Sequence, residues 1–504
     1  MEVISNLIHG FQLAITPQAL VACLLGVIIG TITGVLPGLG PTGAMALLLP
    51  LSFGMDPALG IIMLAGIYYG SMYGGSTTAI LVNMPGETAS VVTCIDGYQM
   101  AKKGRGGAAM AVAAIGSFVA GTLGIVGLML FAPKLALFAV KFGPVEFFAL
   151  AVLGLILLSN VTGKSMLKTM LMVFLGIMLS TIGIDPQEGV ERLTFGILNL
   201  QQGIEFTIVA MGFFGISEVL RVVGGPCEKS SVPNVRFRDL YPNKEEIKRS
   251  INPMLRGGVI GFIIGLLPGP VNFISSLVSY RMEKRLSKHP EEFGKGAVEG
   301  VAGPESANNS AAAGAMVPLL ALGLPFTAAT AILVSGFLVH GVAVGPLLIR
   351  QHADLFWTVI ASMYIGNVML LIFNLPLVGV FASVLKIPPK ILMPIIMLIT
   401  IAGAYSINNS IFDLWLLLIF AVIGYFAEKA DFDGAPLVVG LVLGKTLETG
   451  LRGGLVLVQG DIWQFFKRPI SGTMLYIAIL LIVYSVVRFI YAKNKKVNTN
   501  TVET

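Results

Sequence analysis

The feature of this sequence that most restricts its fold is an apolar segment interrupted by a proline–glycine pair. Residues 26–43 read GVIIGTITGVLPGLGPTG, with glycines at four-residue spacing before the break Leu36-Pro37-Gly38. The same spacing returns at 257–269, where it precedes Leu267-Pro268-Gly269. Because lipid offers no hydrogen-bond partners, non-helical backbone at membrane depth persists only where protein buries it or where it lines a cavity. A break repeated in two halves of a chain therefore indicates a transport site.

The composition places these segments in a membrane. Hydrophobic residues make up 55% of the 504, charged residues only 12%, and the mean hydropathy is +0.86. Ordinary soluble domains carry about 25% charged residues. The apolar runs approach the roughly 20 residues that span a bilayer, whereas the strands of a soluble α/β enzyme run to roughly 4–8 residues. The sequence therefore predicts an all-α polytopic membrane protein.

Apolar stretches predict the membrane spans. They lie at 19–34, 58–81, 108–131, 145–158, 167–184 and 204–223 in the first half, and at 257–280, 328–349, 355–385, 391–405, 411–426 and 474–487 in the second. The pieces at 44–51, 311–322 and 435–443 are too short to cross a bilayer of about 30 Å as straight helices. We interpret them as half-helices or re-entrant segments, which gives about 10 to 14 crossings.

The basic residues lie in short segments between these spans. The clusters are 102–105, 221–256, 281–288 and 488–496. This is the positive-inside pattern, so we expect all four on the cytoplasmic side; a nucleic-acid partner is not indicated by the net charge of +6. The polar, proline-containing segment 224–256 is interpreted as a loop that links two halves. The predicted divisions are 1–223 (first transmembrane repeat half), 224–256 (cytoplasmic linker), 257–492 (second transmembrane repeat half) and 493–504 (cytoplasmic tail).

Two glycine series precede the breaks, one in each half. Gly26, Gly30 and Gly34 share one helical face, as do the corresponding glycines at 257, 261 and 265. Small residues at this spacing allow two helices to approach closely, and that interpretation needs no ligand. We favour packing for these glycines and reserve the site for the breaks themselves.

Each half contains a Leu-Pro-Gly break, then a cluster of hydroxyl and amide side chains, then a second proline break. Helix N-termini carry partial positive charge, and glycine permits close approach to bare backbone N–H groups, so facing broken helices form an anion receptor without arginine. The candidate substrate-binding residues are Pro37, Gly38, Gly40, Gly75, Ser76, Thr77, Asn83, Pro85, Gly86, Pro268, Gly269, Asn308, Asn309, Ser310, Pro325 and Thr327. Alternatively, the breaks are kinks in which Ser and Thr satisfy freed carbonyl groups.

No motif indicates an enzyme. Residues 163–165 and 444–446 resemble the end of a P-loop but lack its first glycine, and the histidines lack metal-ligand spacing. We expect no catalytic residues and no cofactor other than sodium or a proton as coupling ion. A sodium site could form near the breaks from backbone carbonyls and hydroxyls. Acidic residues near the spans are candidates for proton or cation coupling, because ionisable groups inside a membrane are costly and usually functional. Most lie near predicted span ends, where solvation is the simpler explanation, and none is singled out: Glu146, Glu205, Glu218, Asp413, Glu428, Asp431, Asp433 and Glu448.

At these clusters the chain resembles the TctA family, the large membrane subunits of the tripartite tricarboxylate transporters. The motifs that carry the resemblance are GVLPGLGPTG from Gly34, YYGSMYGGSTTAIL from Tyr68, NMPGETASVVTCIDGY from Asn83, SYRMEKRLSKHPEEFGKGAVEGVAGPESANNS from Ser279 and GLPFT from Gly323. The resemblance implies a multi-pass secondary transporter of carboxylates in the bacterial inner membrane with an elevator-like movement. It also implies a small TctB-like membrane subunit and a periplasmic TctC-like solute-binding protein, and it leaves a homodimer open.

Two positions depart from the family pattern. The second proline break usually reads Gly-x-Pro-Gly-Ser in the family, but here Phe326 follows Pro325. Val271 stands where the first half has Gly40. Both changes affect the expected substrate rather than the expectation of transport.

The leading hypothesis is ion-coupled symport of a di- or tricarboxylate such as citrate. The alternatives are a non-transporting membrane sensor or scaffold that binds a carboxylate, and a channel. The sequence does not identify the carboxylate, the coupling ion or the oligomeric state.

Overall fold

The computed structural model describes residues 2–36, 40–161, 166–185, 187–224, 241–377, 380 and 389–500. The chain forms two compact units. One comprises 1–140 and 204–434, and the other 141–203 and 435–504. The predicted division into two repeat halves instead divides the chain once, at the linker 224–256, and it stays a prediction.

The described helices, in chain order, are α1 (Glu2–Ala14), α2 (Pro17–Val35), α3 (Gly40–Leu48), α4 (Pro57–Val82), α5 (Ser90–Lys102), α6 (Gly106–Ala139), α7 (Pro144–Val161), α8 (Met166–Ser180), α9 (Phe206–Ala210), α10 (Ser217–Gly224), α11 (Lys244–Gly265), α12 (Val271–Leu286), α13 (Glu299–Leu322), α14 (Ala328–Val339), α15 (Pro346–Gln351), α16 (Ala353–Asn374), α17 (Pro389–Asn408), α18 (Ile411–Lys429), α19 (Ala435–Leu457), α20 (Trp463–Lys467) and α21 (Pro469–Asn500). A π-helical turn, Met211–Ile216, joins α9 to α10. A short hairpin pairs β1 (Gly183–Ile184) with β2 (Glu191–Arg192).

Among the described residues, five helices are long and apolar enough to cross a membrane, namely α2, α4, α6, α16 and α18. Shorter apolar helices accompany them, including α8 and α14. These helices fit a multi-pass membrane protein, as predicted.

Several predicted spans are wrong in their boundaries. The single span at 257–280 is two helices, because α11 ends at Gly265 and α12 begins at Val271. The span at 328–349 is likewise divided between α14 and α15. Residues 244–256 are not a loop: α11 begins at Lys244, where Asn243 and Glu246 form a capping box. Charged residues give this segment low hydropathy, so it was predicted as a loop. Its capping box is nevertheless a known signal for the start of a helix.

Two short apolar pieces are the ends of longer helices. Residues 311–322 are the second half of α13, and 435–443 are the first part of α19. All 24 residues of α13 are buried, including the polar sequence around Asn308. Hydropathy measures compatibility with lipid, so it misses a helix whose polar side chains face protein. The third piece, 44–51, is short as predicted: α3 has nine residues and a 3₁₀ turn follows it.

The first glycine series packs α2 against α4. Cβ atoms placed on Gly26, Gly30 and Gly34 would lie 2.3, 2.5 and 2.0 Å from the carbonyl oxygens of residues 63, 67 and 71. Real Cβ atoms essentially never approach another atom within 3.0 Å. The prediction that these glycines serve close helix packing is therefore confirmed, and the rising residue numbers show that the two helices run parallel.

The second series packs α11 against α13 in the same way. Cβ atoms on Gly257, Gly261 and Gly265 would lie 2.4, 2.1 and 2.4 Å from the carbonyl oxygens of residues 303, 307 and 311. These two helices also run parallel. Both halves thus use the same backbone contact at corresponding positions.

Three of the predicted basic clusters lie together. Arg105, just before α6, forms an ion pair with Glu246 near the start of α11. Arg249 contacts Glu299 at the start of α13 at 2.8 Å and Glu292 at 2.6 Å. Arg249 lowers the pKa of the Glu292 carboxyl, first by hydrogen bonding and then by charge. Arg256 pairs with Glu283 of the cluster 281–288. Described residues of the clusters 102–105, 221–256 and 281–288 therefore share one side of this unit; that this side is cytoplasmic stays a prediction.

The second unit packs α7, α8, α19 and α21 beside the β1–β2 hairpin. Asp185 follows β1 and accepts hydrogen bonds from the backbone N–H of Gln187 at 2.8 Å and from Arg452 at 2.6 Å. These bonds, led by the one from Gln187, lower the pKa of Asp185 to about 2. Arg192 of β2 pairs with Glu448 on α19. The hairpin is thus tied to α19 by ion pairs.

Candidate functional site

The two breaks of each half contact each other. In the second half, the backbone N–H of Gly269 donates to the carbonyl oxygen of Phe326 at 3.0 Å. In the first half, a Cβ on Gly40 would lie 3.8 Å from the Gly86 carbonyl oxygen. Pro37 and Gly38 lie outside the described residues. In each half, described residues at or beside the Leu-Pro-Gly break thus lie close to the second proline break, a contact that was not predicted from the sequence.

The helices that precede the second breaks end alike. Asn83 closes α4 with φ 57°, and Gly323 closes α13 with φ 72°. This left-handed conformation favours glycine and, among other residues, asparagine. The left-handed conformation therefore explains why asparagine stands at position 83, without the predicted contact with substrate. The Asn83 side chain is exposed.

The second break of the first half has a tight backbone environment. A Cβ on Gly86 would lie 2.4 Å from both the Gly34 carbonyl oxygen and the Gly75 Cα. Glycine at 86 therefore permits the break to pack against α2 and α4. Pro85 beside it is half-buried, whereas Pro268 and Pro325 of the second half are buried.

A buried polar network lies where α4, α5 and α13 meet. The Ser76 hydroxyl donates to Glu305 Oε2 at 2.5 Å, and the Thr93 hydroxyl donates to Glu305 Oε1. On the next turn of α13, Asn308 Nδ2 donates to Glu87 Oε1 at 2.5 Å. Two candidate residues, Ser76 and Asn308, thus contact two carboxylates.

Asn272 extends this network to the start of α12. Its Nδ2 donates to Asn308 Oδ1 at 2.8 Å and to the Asn308 carbonyl oxygen at 3.0 Å. Asn308 therefore connects a residue just after the Leu-Pro-Gly break of the second half with Glu87 of the first. Neither α5 nor α12 has a side-chain cap at its N-terminus, so their first N–H groups are not claimed by a capping side chain.

Two small cavities flank Tyr73. One, of about 250 Å³ including open solvent, is lined by Tyr73, Ser76, Thr77, Ile80, Met110, Ala113, Ala114, Ser117 and Asn374. The other, of about 260 Å³, is lined by Tyr69, Tyr73, Gly121, Ile125, Asn309, Ala313, Met363 and Asn367. The enclosed part of each has room for about one water molecule. Hydroxyl and amide groups supply their polar surface.

The wall between these cavities is hydrogen-bonded. Asn309 Nδ2 donates to the Ser117 hydroxyl at 2.7 Å, and the Tyr73 hydroxyl donates to Asn367 Oδ1 at 2.9 Å. The Tyr69 hydroxyl is buried without a hydrogen-bond partner in the structure. Thus Ser76, Thr77 and Asn309 line cavities, and their contact with substrate stays a prediction.

Other candidates lie elsewhere. Thr327 caps α14, where its hydroxyl accepts from the Thr330 N–H at 3.1 Å. The Ser310 hydroxyl is buried and lies 3.1 Å from the Cβ position of Gly124 on α6. Gly75 faces Glu87 and Ser90. The structure gives Thr327 a local structural role and leaves the assignment of all these residues to substrate a prediction.

The two central carboxylates, Glu87 and Glu305, were not among the predicted site residues. Their signal was present: each lies inside one of the polar clusters between apolar segments. Some of the acids near span ends have arginine partners, since Glu146 pairs with Arg468 and Glu218 with Arg221. Thr93 and Asn272 were also missed, because contacts between distant segments cannot be inferred from spacing. The part of the chain that the structure describes contains no cluster of three or more His, Cys, Asp or Glu suited to a metal ion.

Comparison with known proteins identifies the family. Residues 20–439 match the model of the tripartite tricarboxylate transporter TctA family. An uncharacterized 52.8 kDa protein in the TAR-I ttuC' 3' region of Agrobacterium vitis is 46% identical over 497 residues, covering 99% of both chains. An uncharacterized protein in the TAR-II ttuC' 3' region of the same organism is 41% identical over 237 residues, covering 47% of this chain and 98% of the relative. No solved structure matches. The chain therefore belongs to the TctA family of tripartite tricarboxylate transporters.

Proposed function

We propose that this chain is the permease of a tripartite transporter that takes up a di- or tricarboxylate, driven by an ion gradient, across the bacterial inner membrane. A TctC-like solute-binding protein delivers the substrate and a TctB-like small membrane subunit completes the complex. The observation that carries the proposal is the network through Asn308, which joins broken helices of both halves beside polar cavities.

The chemistry of the cavities supports an anionic substrate. Their linings include hydroxyl and amide groups but no acidic or basic side chain. The starts of α5 and α12 have no side-chain caps, although their first N–H groups donate to the backbone carbonyls of Glu87 and Gly269. The dipoles of these helices stabilise anions without a cationic side chain. The candidate site consists of Ser76, Thr77, Asn308 and Asn309, with the breaks around them.

The enclosed space supports a moving site. A cavity with room for about one water cannot hold a dicarboxylate, so α4, α6, α13 and α16 have to separate for substrate to enter. Matching parallel pairs, α2 with α4 and α11 with α13, support two structural repeats and movement of an elevator type. Phe326 is buried in the second break of the second half. It makes this break more apolar than the glycine found at that position in the family pattern would.

The test is uptake by bacteria that lack their own carboxylate carriers and express the chain with its two partner proteins. We expect saturable accumulation of at least one labelled compound from a panel of citrate, succinate and malate. We expect Asn309→Leu to abolish it without loss of membrane insertion, because the amide is buried at a cavity. The control is Ile4→Leu, because Ile4 is exposed. Ala315→Leu would not serve, because Ala315 is buried.

The alternative function, a membrane sensor or scaffold, predicts a different outcome. A sensor binds its ligand but does not exchange labelled for unlabelled compound across vesicle membranes. Counterflow in vesicles that contain the complex therefore decides between the two. Binding without exchange of any compound in the panel would contradict the transport proposal.

A further inference from the structure

Glu87 and Glu305 are buried carboxylates without a cationic partner. Glu305 is 1% exposed and Glu87 is 8% exposed. No basic side chain of the described residues forms an ion pair with either. Several other buried carboxylates of the described chain have arginine partners: Glu283 with Arg256, Glu299 with Arg249, Glu146 with Arg468 and Glu218 with Arg221. Two more among the described residues have none, but Asp96 accepts three backbone N–H groups and the Tyr280 hydroxyl, and Asp413 accepts from Asn408. Glu87 and Glu305 differ from these because they share one network: Glu87 is bonded to Asn308, one turn after Glu305 on α13.

The surroundings of the pair supply oxygen atoms rather than positive charge. Ser76 and Thr93 contact Glu305, and Asn308 contacts Glu87. The titratable groups that face the two carboxylates from neighbouring elements are Tyr68 and Tyr73 on α4 and Cys94 on α5. None of these side chains becomes cationic. An ionised carboxylate in such a place requires a counter-charge, and the residues that the structure describes do not provide one.

Ser90 supplies an independent observation. Its hydroxyl is fully buried and has no hydrogen-bond partner in the structure. It lies 3.2 Å from the Cβ position of Gly75, and Glu87 Cγ lies 3.3 Å from the same point. An unpartnered hydroxyl and the Glu87 side chain therefore both pack against Gly75. Hydroxyl and carboxylate oxygens suit a hard cation such as Na⁺, and a carboxylate also accepts a proton.

The carboxylates adjoin the cavity assigned above to the substrate. Ser76 lines that cavity and also donates to Glu305. A carboxylate substrate in the cavity and an ionised Glu305 would repel each other strongly, because the surrounding protein has a low dielectric constant. Neutralising the pair removes this repulsion, and by linkage substrate and cation then increase each other's affinity.

We propose that Glu87 and Glu305 form the coupling centre of this transporter, where small monovalent cations, H⁺ or Na⁺, neutralise the pair whenever substrate occupies the neighbouring cavity, one cation for each ionised carboxylate. The inference rests on the proposed uptake function and assigns its coupling site. Ser90 contributes an oxygen ligand at this centre. The cations enter and leave with the substrate, and no covalent step is involved.

The experiment compares gradient-driven uptake with exchange in vesicles that contain the complete complex. Labelled citrate, succinate and malate are the probes, and inward gradients of Na⁺ or of protons are imposed separately. We expect one gradient to stimulate wild-type uptake. Glu305→Gln and Glu87→Gln lose at least about ten-fold of that stimulation, yet they retain counterflow, because a neutral side chain mimics the cation-bound state. The gradient that works distinguishes Na⁺ from H⁺.

Glu299→Gln is the matched control, since Glu299 is buried on the same helix but is paired with Arg249; it retains the gradient response. Ser90→Ala raises the cation concentration for half-maximal uptake by about three- to ten-fold if its hydroxyl is a ligand. Unchanged gradient stimulation in Glu305→Gln would overturn the inference, as would loss of counterflow and stimulation together in correctly inserted Glu305→Gln and Glu87→Gln. Absence of counterflow in the wild type would instead contradict the proposed function.

Discussion

The close contacts that Gly257, Gly261 and Gly265 of α11 make with the backbone of α13, called here a glycine seam, offer a sharp test of the packing. Gly261→Ala places a Cβ 2.1 Å from the carbonyl oxygen of Ala307, whereas Cβ atoms essentially never come within 3.0 Å of another atom. The two backbones have to separate by about 1 Å, a gap that forfeits a quarter to a half of each contact's dispersion energy. Overpacking of this kind costs about 1–3 kcal/mol.

Gly258→Ala provides the control on the same helix. Its nearest neighbour is Leu123 Cδ1 at 3.2 Å, the end of a side chain that can rotate away. Both substitutions gain the same helix propensity of about 1 kcal/mol, so their difference reports the seam alone.

The assay follows loss of the folded protein from detergent solution on heating, compared as inactivation rates because membrane proteins seldom refold. We expect Gly261→Ala to inactivate faster than the wild type and Gly258→Ala to match or exceed wild-type stability. Equal stability of the two variants would refute the conclusion that backbone contact fixes this seam.

Three further outcomes are expected. Asn83→Gly keeps the stability of the wild type, whereas Asn83→Leu is less stable by about 1–2 kcal/mol and inactivates faster on heating, because only leucine strains the left-handed end of α4. Uptake by the stable glycine variant then shows whether the Asn83 amide contacts substrate. Asp185 has a lowered pKa of about 2, so it stabilises the fold above its unfolded pKa of about 4 and that stabilisation is lost as pH falls towards 2; stability measured across this range should decline less in Asp185→Asn. Asp96 Oδ1 accepts the N–H groups of Gly294, Gly296 and Ala297, so Asp96→Asn should speed hydrogen exchange in this loop by about ten-fold or more, and unchanged exchange would contradict that role.

The sequence predicted what periodicity and breaks encode. Long apolar helices, the glycine seams and the breaks at Pro268 and Pro325 follow from local spacing, whereas the contact between those two breaks does not. Helix α13 was missed as a unit because its first half is polar, and its burial depends on neighbours that spacing does not reveal. The start of α11 was missed for a similar reason, since charged residues obscured a capped helix.

The candidate site could be predicted only in part. Ser76, Thr77 and Asn309 line cavities as their residue types suggested. Glu305 was overlooked because its partners, Ser76 and Thr93, are more than 200 residues away along the chain. A carboxylate inside a polar cluster of a membrane chain is a signal in itself, and it carries more information than the acids at helix ends.

The glycine seams also decide which parts of the molecule can slide. Shifting α4 along α2, or α13 along α11, would drive side chains into carbonyl oxygens at three levels at once, so each pair behaves as one rigid bar locked in register. The two pairs are joined by side-chain hydrogen bonds such as that between Ser76 on α4 and Glu305 on α13. Hydrogen bonds of this kind can break while every helix stays folded.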